Sequence, residues 1–194
     1  MKLVIIEGCQ GSGKSTLSNR LREEVKYSTL IKLCGLPPIE DQKYEIAQYH
    51  REFLTMISLM SHLPITFILD RSFLSEHVYA KLYKDYEFSN ETTEFLLYLQ
   101  EMELEVLFVL LTADKETLTE RLHRPGKEQY QNIEYKADES IKQQNEYTKV
   151  FKRIPFDTLV LDESYQIEDK IRVIKEWLNN DKKGSGIYND CGEA

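Results

Sequence analysis

The stretch Gly8-Cys9-Gln10-Gly11-Ser12-Gly13-Lys14-Ser15 constrains this chain more than any other. It fits G-x-x-x-x-G-K-[ST], the pattern of a phosphate-cradling P-loop, and its neighbours supply the context that the pattern needs. Before it, Leu3-Val4-Ile5-Ile6 is an apolar, β-branched run, as a buried parallel strand should be. After it, Thr16 to Val25 reads as a helix, with Leu17, Leu21 and Val25 spaced by four. Glycines let the backbone approach a phosphate without a Cβ in the way. Successive N–H groups then form an anion nest, and the helix N-terminus adds about half a positive charge. Lys14 can reach the β- and γ-phosphates, and Ser15 can ligate Mg²⁺. Gly8 to Thr16 are therefore expected around a nucleoside triphosphate, with Cys9 a small tolerated loop residue. The loop does not say which reaction follows.

The rest of the chain alternates strand and helix patterns. Ser28 to Leu33, Ile65 to Leu69, Val106 to Leu111 and Thr158 to Leu161 read as further short strands. Helices are expected over about Glu40–His62, Ser72–Tyr83, Ser89 or Asn90 to Met102 (either residue as the cap), Thr117–His123, Ile133–Phe151 and Ile167–Leu178. This predicts an α/β P-loop fold, a five-stranded parallel sheet with helices on both faces, and ligands at the carboxyl ends of the strands. Residues 1–180 form one domain on this reading. A basic, glycine-interrupted segment at about 121–131 has the composition of a lid. Residues 181–194 carry no core pattern and read as a flexible tail.

On the long second helix, Ile46, Tyr49, His50, Phe53, Ile57 and Met60 share the core face. Tyr44, Gln48, Arg51 and Thr55 lie opposite. They are either a solvated face or a cleft wall that offers an aromatic ring, an amide and a guanidinium.

With 194 residues the chain can bury a full core. No apolar run reaches the length that spans a bilayer. The first strand begins at once, without a signal or transit pattern. Cys9, Cys34 and Cys191 make no ligand or disulfide spacing, so a reducing, cytoplasmic setting is expected. The net charge of −8 argues against a general nucleic-acid binder while leaving room for a local basic cleft.

A P-loop enzyme needs a carboxylate near Mg²⁺, normally at the end of a neighbouring strand. Asp70 in I-L-D-R-S is favoured over Asp162 in L-V-L-D-E, because Asp70 lies mid-chain and Arg71 beside it can neutralise a phosphate. Together, E-G-C-Q-G-S-G-K-S-T-L, D-R-S-F-L-S-E-H-V-Y and the arginine-bearing lid resemble the thymidylate kinase and deoxyribonucleoside kinase superfamily of P-loop nucleotide kinases. Element order follows that superfamily over nearly the whole chain. Sharp motif matches are confined to Glu7–Leu17, Asp70–Tyr79 and roughly Arg121–Lys127. Asp70, Arg71, Ser75 and Tyr79 match the thymidylate kinase pattern D-R-Y-x-x-S-x-x-x-Y, whereas Ser72 and Ser75 match the E-R-S-x-x-S of deoxyribonucleoside kinases.

The resemblance implies ATP as donor, Mg²⁺ held by Ser15 and Asp70, and an acceptor phosphate gripped by Arg71 and Arg51. It implies lid arginines, Arg121 and Arg124 with Lys127, that close over the transferring γ-phosphate. It also implies a small nucleotide as acceptor and a homodimer; Tyr44, Gln48 and Tyr79 are the candidates for the base pocket, and no membrane partner is expected. The turn after the second strand, Lys32 to Glu40, matches neither R-E-P-G nor E-P-x-x-W, so no general base stands out among Glu7, Glu40 and Asp70. The reading is a kinase of a deoxynucleoside monophosphate, most of all a pyrimidine. A deoxynucleoside kinase, a polynucleotide or modified-base kinase and a P-loop switch ATPase stand as alternatives. For a GTP switch the chain lacks N-K-x-D and T-K-x-D.

Overall fold

The structure, a computed structural model, describes residues 1–35, 40–102, 104–123 and 136–180. In chain order the elements are β1 (Lys2–Gly8), α1 (Lys14–Glu24), β2 (Ser28–Lys32), α2 (Gln42–Leu59), β3 (Thr66–Asp70) and α3 (Phe73–Tyr83). They continue with α4 (Ser89–Glu101), β4 (Glu105–Leu111), α5 (Lys115–Leu122), α6 (Ala137–Phe151), β5 (Asp157–Leu161) and α7 (Ile167–Asn179). All five strands are parallel, in the order β2-β3-β1-β4-β5.

The apolar runs explain the layers. In β1, Leu3 and Ile5 point to one face and Val4 and Ile6 to the other, and all four are fully buried. The first pair packs under α2, α3, α4 and α6, with Leu54, Val78, Leu99 and Tyr147 among the contacts. The second pair packs under α1 and α7, through Leu17, Leu21, Ile171 and Ile174.

Helix starts follow local chemistry where a side chain can cap. Ser72 accepts from the Leu74 N–H at the head of α3, and Asp114 from the Thr117 N–H at the head of α5. The expected cap at Ser89 or Asn90 is not made. The cap position falls on Phe88, which is 1% exposed, and no side chain caps it. Burial of that ring draws the helix start forward, and the Thr92 hydroxyl bonds back to the Phe88 carbonyl. The proposed tail at residues 181–194 lies outside the described residues. Among those described, no helix is long and apolar enough to cross a membrane.

The chain turns one way from β1 to reach β3 and β2, and the other way to reach β4 and β5. The crevice at the carboxyl end of β1 is therefore the topological switch point. Register sets what meets there: Ile6 lies opposite Asp70 of β3, and Gly8 opposite Leu111 of β4. Gly8 has φ +149°, and a Cβ on it would stand 2.5 Å from the Leu111 carbonyl oxygen. Gly35 has open space around the same position. Gly8→Ala should cost about 2–3 kcal/mol in chemical denaturation, while Gly35→Ala should stay within about 0.5 kcal/mol.

Candidate active site

The P-loop bends into α1 through Gly13, which takes the left-handed N-cap conformation at φ 98° and offers no side chain. The first N–H groups of α1 are thus left for an anion. Ser12 Oγ is buried beside them with no hydrogen-bond partner among the described residues. Lys14 folds back so that Nζ donates to the Cys9 carbonyl at 2.7 Å. Burial, then the charge of Arg71, lowers the Lys14 pKa to about 7. An orphaned hydroxyl, open helix amides and a destabilised ammonium all fit a polyphosphate.

Ser15 at the first turn of α1 donates its hydroxyl to Asp70 Oδ2 at 2.8 Å, and Ser18 reaches the same oxygen at 3.3 Å. The expected metal pair is thereby brought together. A hydroxyl and a carboxylate suit Mg²⁺, which keeps waters and phosphate oxygens in its shell and needs few protein ligands. Asp162 instead accepts from the Ser164 N–H at 2.9 Å in the turn after β5, as an ordinary strand-end acid.

Arg71 follows Asp70 directly. Its N–H donates to the Ile6 carbonyl at 3.0 Å, which fastens it to β1, and its φ is +77°. A non-glycine residue held in that region stores strain of about 1–3 kcal/mol. Its side chain lies 5.5 Å over the Tyr79 ring and donates to Ser75 Oγ at 3.2 Å. Behind it, Glu7 is fully buried and accepts from the Ser72 and Ser75 hydroxyls, each at 2.7 Å. With its proton given to Glu7, Ser75 accepts from Arg71 and from the Tyr147 hydroxyl, 2.8 Å away. Burial pushes the Glu7 carboxyl up, and the two serine hydrogen bonds pull it back. Burial also works against the Arg71 charge, but Tyr147, Tyr79 and Glu7 hold its pKa above the usual guanidinium value.

Two cavities open on either side of Arg71. One, of about 830 Å³, contains the P-loop and runs past Arg121 to the turn between β5 and α7, with Glu163, Tyr165, Gln166 and Lys170. The other, of about 500 Å³, lies between α2 and α3 and is walled by Ile46, His50, Glu76, Tyr79 and Lys84. Arg71 and Gln10 line both.

Of the expected lid residues, Arg121 reaches the P-loop rim, where Nη1 lies 3.4 Å from the Gly11 carbonyl oxygen and 3.3 Å from that of Ser12. Arg124 and Lys127 lie outside the described residues. Tyr79 does wall the second cavity. Tyr44, Gln48 and Arg51 do not. Tyr44 is 64% exposed, Gln48 binds Glu52, and Arg51 forms a two-pronged pair with Glu94 of α4. The face of α2 that meets the cavity is Gln42, Ile46 and His50. One stripe begins over the cavity and continues as core through Leu54 and Ile57.

Sequence patterns also pass over α6. Gln143 accepts from the Gln10 N–H at 3.2 Å and donates to the Tyr83 hydroxyl at 3.1 Å. Gln144 clamps Ala113, accepting from its N–H at 2.9 Å and donating to its carbonyl at 3.1 Å. Two glutamines and Tyr147 on the inward side of an otherwise polar helix were the available signal.

A family model described as an AAA domain matches residues 4–142. The chain belongs to that P-loop family. No curated protein matches it. Among solved structures, the YorR protein from Bacillus subtilis, in complex with phosphorylated GDP, is similar at a TM-score of 0.63 and 22% identity, covering 91% of this chain and 95% of that one. Thymidylate kinase from Candida albicans gives 0.61 at 17% identity, with 91% and 90% covered. Deoxyadenosine kinase from M. mycoides, with the products dCMP and a flexible dCDP bound, gives 0.55 at 19%, with 91% and 98% covered. The shared fold is that of the P-loop nucleotide kinases, as the motifs imply.

Two outcomes follow from this geometry. Phosphates favour the charged form of Lys14, so a free protein in which that group titrates near pH 7 must take up a proton on binding ATP at higher pH. Calorimetry of ATP binding in buffers of different ionisation enthalpy should show uptake approaching about one proton at pH 8 and little at pH 6, and Lys14→Met should abolish the difference. The Arg51–Glu94 pair is exposed at 41% and 53%. Arg51→Ala should therefore cost less than about 1 kcal/mol in denaturation and leave acceptor KM within about twofold.

Proposed function

We propose that this chain transfers the γ-phosphoryl group of ATP to a deoxynucleoside monophosphate, a pyrimidine nucleotide first among them. The observation that carries this reading is Arg71, a half-buried, pinned guanidinium in the wall of two cavities at once. A charge there can bridge a donor γ-phosphate and an acceptor phosphate, where negative charge gathers in the transition state. The P-loop amides and Lys14 hold the donor phosphates. Ser15 and Asp70 would hold Mg²⁺, which neutralises charge on the β- and γ-oxygens when bound. Arg121 covers the P-loop rim, and Arg124 with Lys127 are proposed to complete a lid.

The charges of the second cavity favour a monophosphate over a free hydroxyl as acceptor. A nucleoside hydroxyl needs a carboxylate free to take its proton. Glu7 has both oxygens occupied, Asp70 is engaged with Ser15 and Ser18, and Glu40 is exposed. Among the described lining residues the carboxylate is Glu76, and it is tied to Lys84 and the Tyr86 hydroxyl. A phosphate is already ionised and needs cations, which Arg71 supplies. The pyrimidine preference rests on the D-R-S-x-x-S-x-x-x-Y resemblance. A cytoplasmic homodimer completes the proposal, and the free thiols Cys9 and Cys34 agree with a reducing compartment. A deoxynucleoside kinase is the second reading, favoured by the Ser72 and Ser75 hydroxyls on Glu7, which use both serines of the E-R-S-x-x-S pattern.

ADP release from Mg²⁺–ATP against deoxynucleosides, their monophosphates and a short DNA decides between them. Stimulation by one or two monophosphates is expected, falling about 10²–10³-fold in kcat/KM in Arg71→Ala and in Lys14→Ala. Stimulation by nucleosides alone would move the chain to the second reading. Release driven only by DNA, or indifferent to every acceptor, would overturn both.

A further inference from the structure

One side chain in the second cavity has no role in the fold that its chemistry explains. His50 is 4% exposed and sits among rings, with centroids at 5.1 Å to Tyr49, 6.1 Å to Phe95, and 6.4 Å to both Phe73 and Phe88. Among the described residues no hydrogen bond to either ring nitrogen is found, and neither nitrogen is among the polar atoms sealed from solvent without a partner. A phenylalanine would complete this aromatic group as well, so the ring cluster alone does not call for an imidazole. His50 nevertheless lines the cavity, on the same stripe of α2 as Gln42 and Ile46. A polar ring at the wall of a ligand cavity, with no hydrogen-bond partner among the described residues, is what a ligand would satisfy.

We propose that His50 reads the hydrogen-bonding edge of the acceptor base and, by exchanging which ring nitrogen carries the proton, admits both keto and amino pyrimidines. This rests on the acceptor reading above and adds its specificity. Thymine presents the O4 acceptor where cytosine presents the N4 amino donor. A carboxylate or an ammonium at this position would favour one of the two. An uncharged imidazole has one donor nitrogen and one acceptor nitrogen, and the proton can sit on either. Burial supports that state by lowering the His50 pKa to about 4. The cavity's charged pair, Glu76 with Lys84, is mutually satisfied, and the imidazole stands with the Gln10 and Gln42 amides among the uncharged lining groups that can both donate and accept.

The test is acceptor kinetics of the full chain with dTMP, dUMP and dCMP, together with nitrogen-15 chemical shifts of His50 in the dTMP and dCMP complexes. The wild type should use dTMP and dCMP with kcat/KM within about tenfold of each other. His50→Phe, which fits the ring cluster, should raise KM for all three by about tenfold or more and leave KM for ATP within about twofold. The protonated ring nitrogen should differ between the two complexes. If His50→Phe leaves acceptor KM unchanged in an active enzyme, His50 does not read the base. If both complexes show the same tautomer, the exchange is refuted even where the variant fails to fold. A wild type that phosphorylates no monophosphate would overturn this inference together with the acceptor reading beneath it.

Discussion

Four charges, three of them buried and Arg71 half-buried, hold this site together at the carboxyl ends of β1 and β3. Lys14 and Arg71 are the cations, and Glu7 and Asp70 the anions. Each would be costly alone in a dry interior, and each has a named partner or neighbour that offsets the cost. Glu7 holds Ser72 and Ser75, Ser75 holds Arg71, and Asp70 holds Ser15. The arrangement is made by register, since Ile6 opposite Asp70 puts the two strand ends level.

From that cluster the division of the cleft follows. Arg71 cannot lie flat along the strand end, because its N–H is fixed to Ile6 and its backbone is held at positive φ. Its guanidinium is turned into the partition, with Tyr79 beneath it, where both cavities reach it. Helix α6 braces the partition from behind through Gln143 on the P-loop and Tyr147 on Ser75. Lys14, meanwhile, rests on the Cys9 carbonyl as a poorly stabilised ammonium. A phosphate group improves its surroundings at once, which couples binding to protonation.

The sequence was most legible where function is built locally. The P-loop needs strand, glycines and helix in immediate succession, and Gly8 to Ser15 carry them without outside help. The parallel strands were legible as short apolar runs, and Asp70 as the acid at the end of one. Legibility failed where a residue's meaning depends on a distant partner. Arg51 reads as an anion grip from sequence, and its pairing with Glu94, 43 residues on, could not be read there. Gln143 looks like an ordinary helix surface until it meets the Gln10 amide, 133 residues away. The α2 stripe was legible as the inward face, but not where core gives way to cavity wall. Periodicity marks which residues point inward, and inward means core for Leu54 but cavity for His50. Burial alone cannot separate the two from sequence.

The central claim is that donor and acceptor phosphates meet at Arg71. Its most direct test is the equilibrium affinity of a bisubstrate analogue, adenosine joined to deoxythymidine through a chain of five phosphates, compared with ATP and with dTMP separately. If both cavities open onto one guanidinium, the tethered molecule fills them together. It should then bind about a hundredfold or more tighter than ATP, and Arg71→Ala should remove most of that gain. An analogue that binds no tighter than ATP alone would mean that the two cavities do not hold their phosphates within reach of each other, and the claim would be wrong.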